Sequence, residues 1–150
     1  MKKAIAIIVV VLLVVVQLQA VIFNSGSEKE VEKVVHESYF NGAFNRLNTE
    51  AMRKGFHPDF AIFSAKGNEI SKYPIDTWIK GIEKNKLSAD FDPSRSKMDC
   101  KIISTDVTEG CAAVKVEISK DGKKIFTDYL SLLKFDEGWK IVAKVYHRHK

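Results

Sequence analysis

Apolar and polar residues alternate through the second half of the chain with the period of two that is typical of β-strands. The alternation predicts four strands, over about 98–107, 111–119, 123–134 and 139–147. Turn-forming residues separate these strands, and Asp121-Gly122 is a strong hairpin signal. The last two strands flank a polar Asp-Glu-Gly turn, so residues 126–146 are predicted to form the closing hairpin of a curved sheet.

The first half of the chain begins with helical spacing. Ser27 and Glu30 form a capping box, which is typical of a helix N-terminus. Val31, Val35 and Tyr39 follow on one helical face, so a first helix is predicted to run to about residue 47.

Two more helices and a hairpin are predicted before the long alternating region. A short helix over 49–54 must end before Pro58, because proline disfavours the helical conformation at the residue before it. Residues 60–64 and 69–73 then pair as strands, and Pro74 suits the first turn of a third helix. The apolar face of that helix is formed by Trp78, Ile79 and Ile82.

The first twenty residues have the pattern of a signal peptide. Two lysines precede thirteen apolar residues, Ala4 to Val16, and Ala20 offers a small residue for cleavage. We therefore expect an exported protein, periplasmic or secreted, with one domain over residues 27–148. The alternative is an uncleaved anchor over residues 4–23, and a membrane partner is expected in that case alone.

Charge and motifs narrow the classes of partner. The net charge of +5 falls to +3 without the two N-terminal lysines, and the remaining charges of both signs are interspersed. No basic stripe indicates nucleic-acid binding, and no motif indicates a cofactor. His147 and His149 supply two ligands where zinc needs three or four, so no metal is predicted. Cys100 and Cys111 are expected about 25 Å apart on one hairpin, as free and buried thiols.

Several segments in a fixed order carry a resemblance to a known family. They are FHPDF at 56–60, Trp78, the hairpin at 102–118, FTDYLSLLK at 126–134 and WKIVAKV at 139–145. From about Val31 to His147 the chain resembles the nuclear transport factor 2-like superfamily, in particular the small bacterial family described as "putative lumazine-binding". The resemblance implies an α+β, cone-shaped (cystatin-like) fold. Its strongly bent antiparallel sheet of about six strands wraps round three helices and leaves a pocket between them.

One face of the last two strands is predicted to line that pocket. Alternation places Thr127 and Tyr129 on the same side of their strand. If Phe135 pairs with Trp139, then Trp139 and His147 share this side. The alternative is an ordinary core without a cavity. The predicted ligand-binding residues are Tyr39, His57, Trp78, Thr127, Tyr129, Trp139 and His147.

The opposite face of the same strands is predicted to lie on the outside. It mixes apolar residues with Asp128 and Lys144, which form a candidate ion pair. Members of the superfamily often dimerise through this surface, so a homodimer is the expected partner, and a partly apolar surface is the alternative. The residues assigned to the interface are Leu130, Leu132, Val142 and Tyr146.

Catalytic chemistry has weak candidates. His57 and Asp59 are two residues apart and suit a base with its orienting partner, although a structural role before Pro58 is the simpler interpretation. Asp106 lies near a strand end, where solvent favours an ordinary carboxylate. In the isomerase branch of the superfamily the catalytic carboxylate lies five residues beyond the aspartate of the FHPDF-like segment. Here that position is Ser64, which argues against the isomerase reaction.

The sequence thus predicts an exported small-molecule-binding or accessory protein without catalysis, and the family resemblance implies a lumazine-like heteroaromatic ligand. One alternative is an isomerase-like or dehydratase-like enzyme that uses acid–base chemistry on a small cyclic substrate. Tyr129 and His147 join His57 and Asp106 as its candidate groups. The other alternative is a dimeric protein-interaction module.

Overall fold

The computed structural model describes residues 26–150. The predicted signal peptide over residues 1–20, and the alternative anchor over 4–23, lie outside this range. Within residues 26–150, no helix combines the length and apolar character needed to cross a bilayer.

The described chain contains three helices, a short 3₁₀ turn and six strands. The first helix, α1, is α-helical over residues 26–34 and π-helical over Val35–Asn45. The other helical segments are α2 (Thr49–Gly55), α3 (Ile75–Lys86) and the 3₁₀ turn Pro93–Ser96. The strands are β1 (Phe56–Lys66), β2 (Glu69–Pro74), β3 (Asp99–Thr108), β4 (Cys111–Lys120), β5 (Lys123–Phe135) and β6 (Gly138–Arg148). All the elements predicted from the sequence are present.

The six strands form one sheet in the order β2-β1-β6-β5-β4-β3. The predicted α+β architecture is confirmed, with one difference in the sheet. β1 and β6 pair in parallel, with Ala61 opposite Ala143, whereas the other neighbours are antiparallel. The sheet is therefore mixed. Register shifts interrupt four of the five strand pairings, and such bulges bend and twist a sheet.

The three helices cover one side of the sheet, which we name the inner face. Val35 and Met52 from the helices share a buried apolar cluster with Val116, Leu130 and Ile141 from the strands. Most of the stability of such a domain comes from burying this apolar surface.

Local sequence explains where the helices begin and end. The side chain of Asn48 caps α2 by accepting a hydrogen bond from the Ala51 N–H at 3.1 Å. Pro74 is the N-cap of α3 rather than its first helical residue. Ser27 lies inside α1, so the predicted capping box does not mark its start.

The π-helical segment of α1 is longer than the single-turn insertions usually seen. Its hydrogen bonds run five residues along the chain, as from the Arg46 N–H to the Asn41 carbonyl at 3.0 Å. The wider turn changes which side chains point at the sheet, and Tyr39 in its middle is completely buried.

A bulge in β6 divides the predicted pocket face of the closing hairpin. Phe135 pairs with Gly138, and not with Trp139 as the face prediction assumed. Ile141 lies opposite Leu132, but the next paired residue is Ala143, so Val142 is an extra residue. Side chains on β6 therefore change sides at Val142.

Thr127, Tyr129 and His147 were expected to line the pocket, and they share one face of the hairpin, but this is the outer face. Tyr129 is 49% exposed and Val145, its partner across the strands, is 50% exposed. Leu130 and Leu132 are each 1% exposed and pack beneath the helices. The prediction that these leucines form an outer dimer surface was wrong, because they belong to the core of one chain.

The two cysteines are free, as predicted. Cys100 is partly buried, but Cys111 is exposed beside the turn that joins β3 and β4. The prediction that both thiols are buried is therefore corrected for Cys111.

Candidate functional site

A cavity of about 270 Å³ opens between α1, α3 and the sheet. Four of the six strands contribute to its wall. The wall consists of Phe44, Ile62, Ser64, Tyr73, Trp78, Phe126, Lys144 and Tyr146. Five of these eight side chains are aromatic, which is the apolar lining that small-molecule sites have.

The irregular backbone segments place the key wall residues. Phe44 comes from the π-helical segment of α1, and Trp78 comes from the first turn of α3. Lys144 and Tyr146 follow the bulge at Val142, and for that reason they point to the inner face. Without the extra residue, regular alternation would send both side chains to the outside.

A buried group of three ionisable side chains lies at the inner end of Lys144. The Tyr39 hydroxyl donates a hydrogen bond to Oδ2 of Asp128. Nζ of Lys144 donates to the Tyr39 oxygen at 3.0 Å and lies 3.5 Å from Asp128 Oδ2. Tyr39 and Asp128 are completely buried and Lys144 is 6% exposed. We name these three residues the buried triad.

One oxygen of the triad is left unsatisfied. Oδ1 of Asp128 is buried and has no hydrogen-bond partner among residues 26–150. A buried polar atom without a partner costs folding free energy, so it calls for a structural or functional explanation.

Aromatic rings surround the amine of Lys144. Its Nζ lies 5.1 Å from the ring centroid of Tyr146, 5.3 Å from that of Tyr39 and 5.4 Å from that of Trp78. These are cation–π distances, and they stabilise the charged amine while the rings keep water away. The cavity therefore combines apolar walls with one enclosed amine.

Burial changes the pKa values of two triad members. Burial raises the pKa of Tyr39 well above its ordinary value, and the neighbouring Asp128 carboxylate raises it further. The phenol therefore stays protonated and donates its hydrogen bond. Burial lowers the pKa of Lys144, although the Asp128 carboxylate opposes this change. At a given pH, Lys144 therefore has a larger neutral fraction than a surface lysine.

Two predicted ligand-binding residues lie at this site. Trp78 is part of the cavity wall, and Tyr39 belongs to the buried triad behind it. Ser64 also lines the cavity, at the position where the isomerase branch has its carboxylate. A serine in this wall supplies a hydroxyl but no general base.

The other predicted residues lie elsewhere. The His57 ring stacks on Phe135 at 4.9 Å, and its Nδ1 accepts the N–H of Asp59 at 3.1 Å. Asp106 is an exposed residue of β3. The pairing of His57 with Asp59 is thus real, but neither residue is part of the cavity wall.

The remaining predicted residues are split between the outer face and the core. Thr127 lies opposite His147 on the outer face, and its hydroxyl contacts Nε2 of His149 at 2.8 Å. Tyr129 lies on the same face. Trp139 is buried in the core and also borders a separate surface depression of about 700 Å³ beside Phe135. None of these side chains lines the aromatic cavity.

The most polar part of the site lies on the face opposite to the predicted one. The ion pair between Asp128 and Lys144 was predicted, but on the outer face. The signal in the sequence was a pair of opposite charges in otherwise apolar strands, which indicates an ion pair but not the face on which it lies. Tyr146 and Phe126, whose rings meet edge to face at 5.8 Å, lie on that same face and were therefore not predicted to line the cavity.

Comparison with solved structures places the fold in the nuclear transport factor 2-like class. A protein of unknown function from Silicibacter pomeroyi DSS-3 superposes with a TM-score of 0.63 at 24% identity, covering 83% of this chain and 98% of its own. A second, from Methylobacillus flagellatus KT, superposes with a TM-score of 0.59 at 27% identity, covering 81% and 91%. Both are described as nuclear transport factor 2-like.

Residues 26–147 match the model of the family described as "Putative lumazine-binding", and the chain belongs to this family. Among characterised proteins it is similar to the aldolase FrzH of a Cladobotryum species. The two are 23% identical over 125 residues, which cover 82% of this chain and 94% of the aldolase.

Proposed function

We propose that this protein binds a small planar heteroaromatic molecule, of the lumazine kind, in the aromatic cavity. The observation that carries the proposal is the enclosed amine of Lys144, which ends a cavity walled by aromatic rings. Flat rings of a ligand stack favourably on such walls. The family match supports this ligand class, and the binding role requires no catalysis.

The polar groups of the cavity suit a ligand that carries carbonyl oxygens. A lysine ammonium has three donor hydrogens, and within residues 26–150 the acceptors in reach are Tyr39 and Asp128. The third hydrogen is available to a ligand oxygen. The hydroxyls of Ser64 and Tyr73 in the wall add further hydrogen-bonding groups.

A pair of tyrosine variants tests this proposal by isothermal titration with lumazine. Tyr146 lines the cavity and is 41% exposed, whereas Tyr129 is on the outer face and is 49% exposed. Tyr146→Ala should weaken binding by about 1 to 2 kcal/mol, or roughly five- to thirtyfold in Kd. Tyr129→Ala, the matched control, should leave Kd unchanged.

Two results would count against the proposal. If lumazine and related diones give no saturable heat of binding, the proposed ligand class is wrong. If Tyr146→Ala and Tyr129→Ala lose the same affinity for lumazine, the cavity is not the binding site. Native mass spectrometry of the freshly purified protein extends the search to ligands that co-purify.

The proposed binding role is that of an exported protein. The N-terminal pattern of two lysines, an apolar segment and Ala20 supports export. Intact-mass measurement of the protein from its native host separates the two expected forms. A chain that starts near Val21 indicates cleavage and release, and a full-length chain in the membrane fraction indicates the anchor.

A second candidate function is acid–base catalysis on a carbonyl compound. The unsatisfied Oδ1 of buried Asp128 favours it, as does the similarity to a protein named an aldolase. Asp128 is not part of the cavity wall, so Lys144 is the group that meets the substrate. The Asp128 carboxylate then pairs with the charged amine of Lys144 and accepts its proton during the reaction.

Hydrogen exchange in D₂O tests this second function. The α-hydrogens of cyclohexanone, followed by NMR, should exchange faster with the protein than with buffer. Asp128→Asn should abolish the acceleration, and Asp106→Asn, an exposed control carboxylate, should not. An identical rate with and without protein would leave binding as the function.

A further inference from the structure

Lys144 has the surroundings of a nucleophilic amine. Its side chain is 8% exposed, three aromatic rings enclose its Nζ, and the cavity wall includes it. Lysines that form covalent adducts with carbonyl substrates are activated by apolar surroundings of this kind. A purely structural ion pair has no need of an open cavity beside the amine.

We propose that Lys144 captures small ring-bearing aldehydes and ketones covalently, as imines, inside the aromatic cavity. This inference rests on the proposed function, since the carbonyl compound must first bind between the rings. It narrows the ligand class from planar molecules in general to those that carry a reactive carbonyl group.

The groups around the amine match the steps of imine formation. Asp128 from β5 accepts a proton from the ammonium, and the free amine lone pair then bonds to the carbonyl carbon. The carbonyl oxygen takes up two protons and leaves as water when its bond to carbon breaks. Of the three ammonium hydrogens, one stays on the iminium nitrogen and two leave in the water, so atoms and charge balance.

The triad also stabilises the product. The iminium keeps the positive charge of the original ammonium at the same place, beside Asp128 Oδ2 and over the rings of Tyr39 and Trp78. The ionisable groups that contact the amine are Tyr39 from α1, Asp128 from β5 and Tyr146 from its own strand. The Tyr39 phenol keeps its proton, because its burial raises its pKa well above the ordinary value.

Reductive trapping tests the inference on the unmodified protein. Benzaldehyde and sodium cyanoborohydride are added near neutral pH, and the reduced adduct is mapped by peptide mass spectrometry. Lys115 is the internal control, because its Nζ also lies over an aromatic ring, Tyr129 at 5.8 Å, but on the outer face. The cavity holds a bound aldehyde next to Lys144, whereas Lys115 has no part in that cavity wall. Lys144 should therefore be modified at least about tenfold faster than Lys115.

Concentration dependence distinguishes capture in a site from chance reaction. Modification of Lys144 should saturate with benzaldehyde and should be prevented by excess benzyl alcohol, which fits the same space without a carbonyl. Modification of Lys115 should rise linearly with the concentration of benzaldehyde, and benzyl alcohol should have no effect on it. Lys144→Arg should lose the adduct, and a circular dichroism spectrum shows whether this variant is folded.

The outcomes separate this inference from the binding role. If lumazine or benzyl alcohol binds saturably while Lys144 is modified no faster than Lys115, the covalent step is wrong and the binding function stands. If none of these compounds binds, both are wrong. Saturable modification that maps to a lysine outside the cavity also overturns the assignment to Lys144.

Discussion

Nζ of Lys144 lies 3.5 Å from Oδ2 of Asp128, and the two side chains are 8% and 0% exposed. An ion pair enclosed to this degree loses the hydration of both charges, and its attraction only partly compensates for that loss. The pair is therefore a costly feature to retain for stability alone. Its position beside an aromatic cavity gives it a functional explanation.

Removing the carboxylate should destabilise the protein in a way that depends on pH. Asp128→Asn leaves Lys144 buried without its counter-charge, which should cost about 3 to 5 kcal/mol near neutral pH. Lys144 then loses the one group that raises its pKa, while in the unfolded chain its pKa stays near 10.5. The unfolded state binds more protons below that pH, so the stability of the variant should rise with pH.

Urea denaturation at several pH values between neutral and 10.5 measures this slope. Adding Lys144→Met to Asp128→Asn removes the unpaired charge and should restore most of the loss. If Asp128→Asn loses the same stability at every pH, the buried amine is not the cause of the loss.

Loss of the Tyr39 hydroxyl should also weaken the fold. Tyr39→Phe keeps the ring but removes one hydrogen bond to Asp128 and one from Lys144, at a cost of about 1 to 3 kcal/mol. Tyr129→Phe removes an exposed hydroxyl and should change the stability by less than about 0.5 kcal/mol.

The same tyrosine should contribute to unfolding in alkali. Because the pKa of Tyr39 is raised above 10.0, the unfolded phenol ionises before the folded one does. Stability should therefore fall as the pH rises through 10.0, and less so in Tyr39→Phe. Equal alkaline unfolding in both proteins would contradict the assignment.

Two glycines provide a matched test of packing between the helices. A Cβ on Gly55 would lie 2.0 Å from Oγ of Ser38 on α1, whereas one on Gly81 would meet nothing closer than Tyr73 at 3.6 Å. Gly55→Ala should destabilise the fold by about 1 to 3 kcal/mol through overpacking. Gly81→Ala, in the middle of α3, should stabilise it by about 0.5 to 1 kcal/mol. Thermal unfolding of the two variants makes the comparison directly.

The two free thiols should differ in reactivity. Burial raises the pKa of Cys100 from 9.0 to about 11, so at about pH 8 roughly a thousandth of it is thiolate. Cys111 is exposed and should react with iodoacetamide much faster. Peptide mapping after brief labelling checks the order, and both thiols should react alike in concentrated urea.

The elements of this fold were predictable because their signals are local. Alternation and turn residues such as Asp121-Gly122, both with positive φ, mark strands and hairpins within a few residues of chain. Burial of α3 through Ile79 likewise followed from helical spacing. None of these signals depends on which strand pairs with which.

The site was not predictable to the same extent, because it depends on register. One unpaired residue, Val142, moves Lys144 and Tyr146 from the outer face to the inner one. An alternating pattern contains no sign of such a bulge, and a shift of one residue exchanges the two faces. The sequence predicted that Asp128 and Lys144 form an ion pair, because opposite charges in apolar strands are unusual. It placed the pair on the outer face, however, and the pair lies on the inner one.

The position of Tyr39 also depends on the local backbone, because a π-helical turn closes its hydrogen bonds over one more residue than an α-helical turn. α1 and β6 therefore each position a residue of the triad through an irregular stretch of backbone. Deletion of Val142 should restore regular alternation in β6 and turn Lys144 away from Asp128. We therefore expect relatives that lack this extra residue to differ in the charged group beside the cavity, even where they keep its aromatic wall.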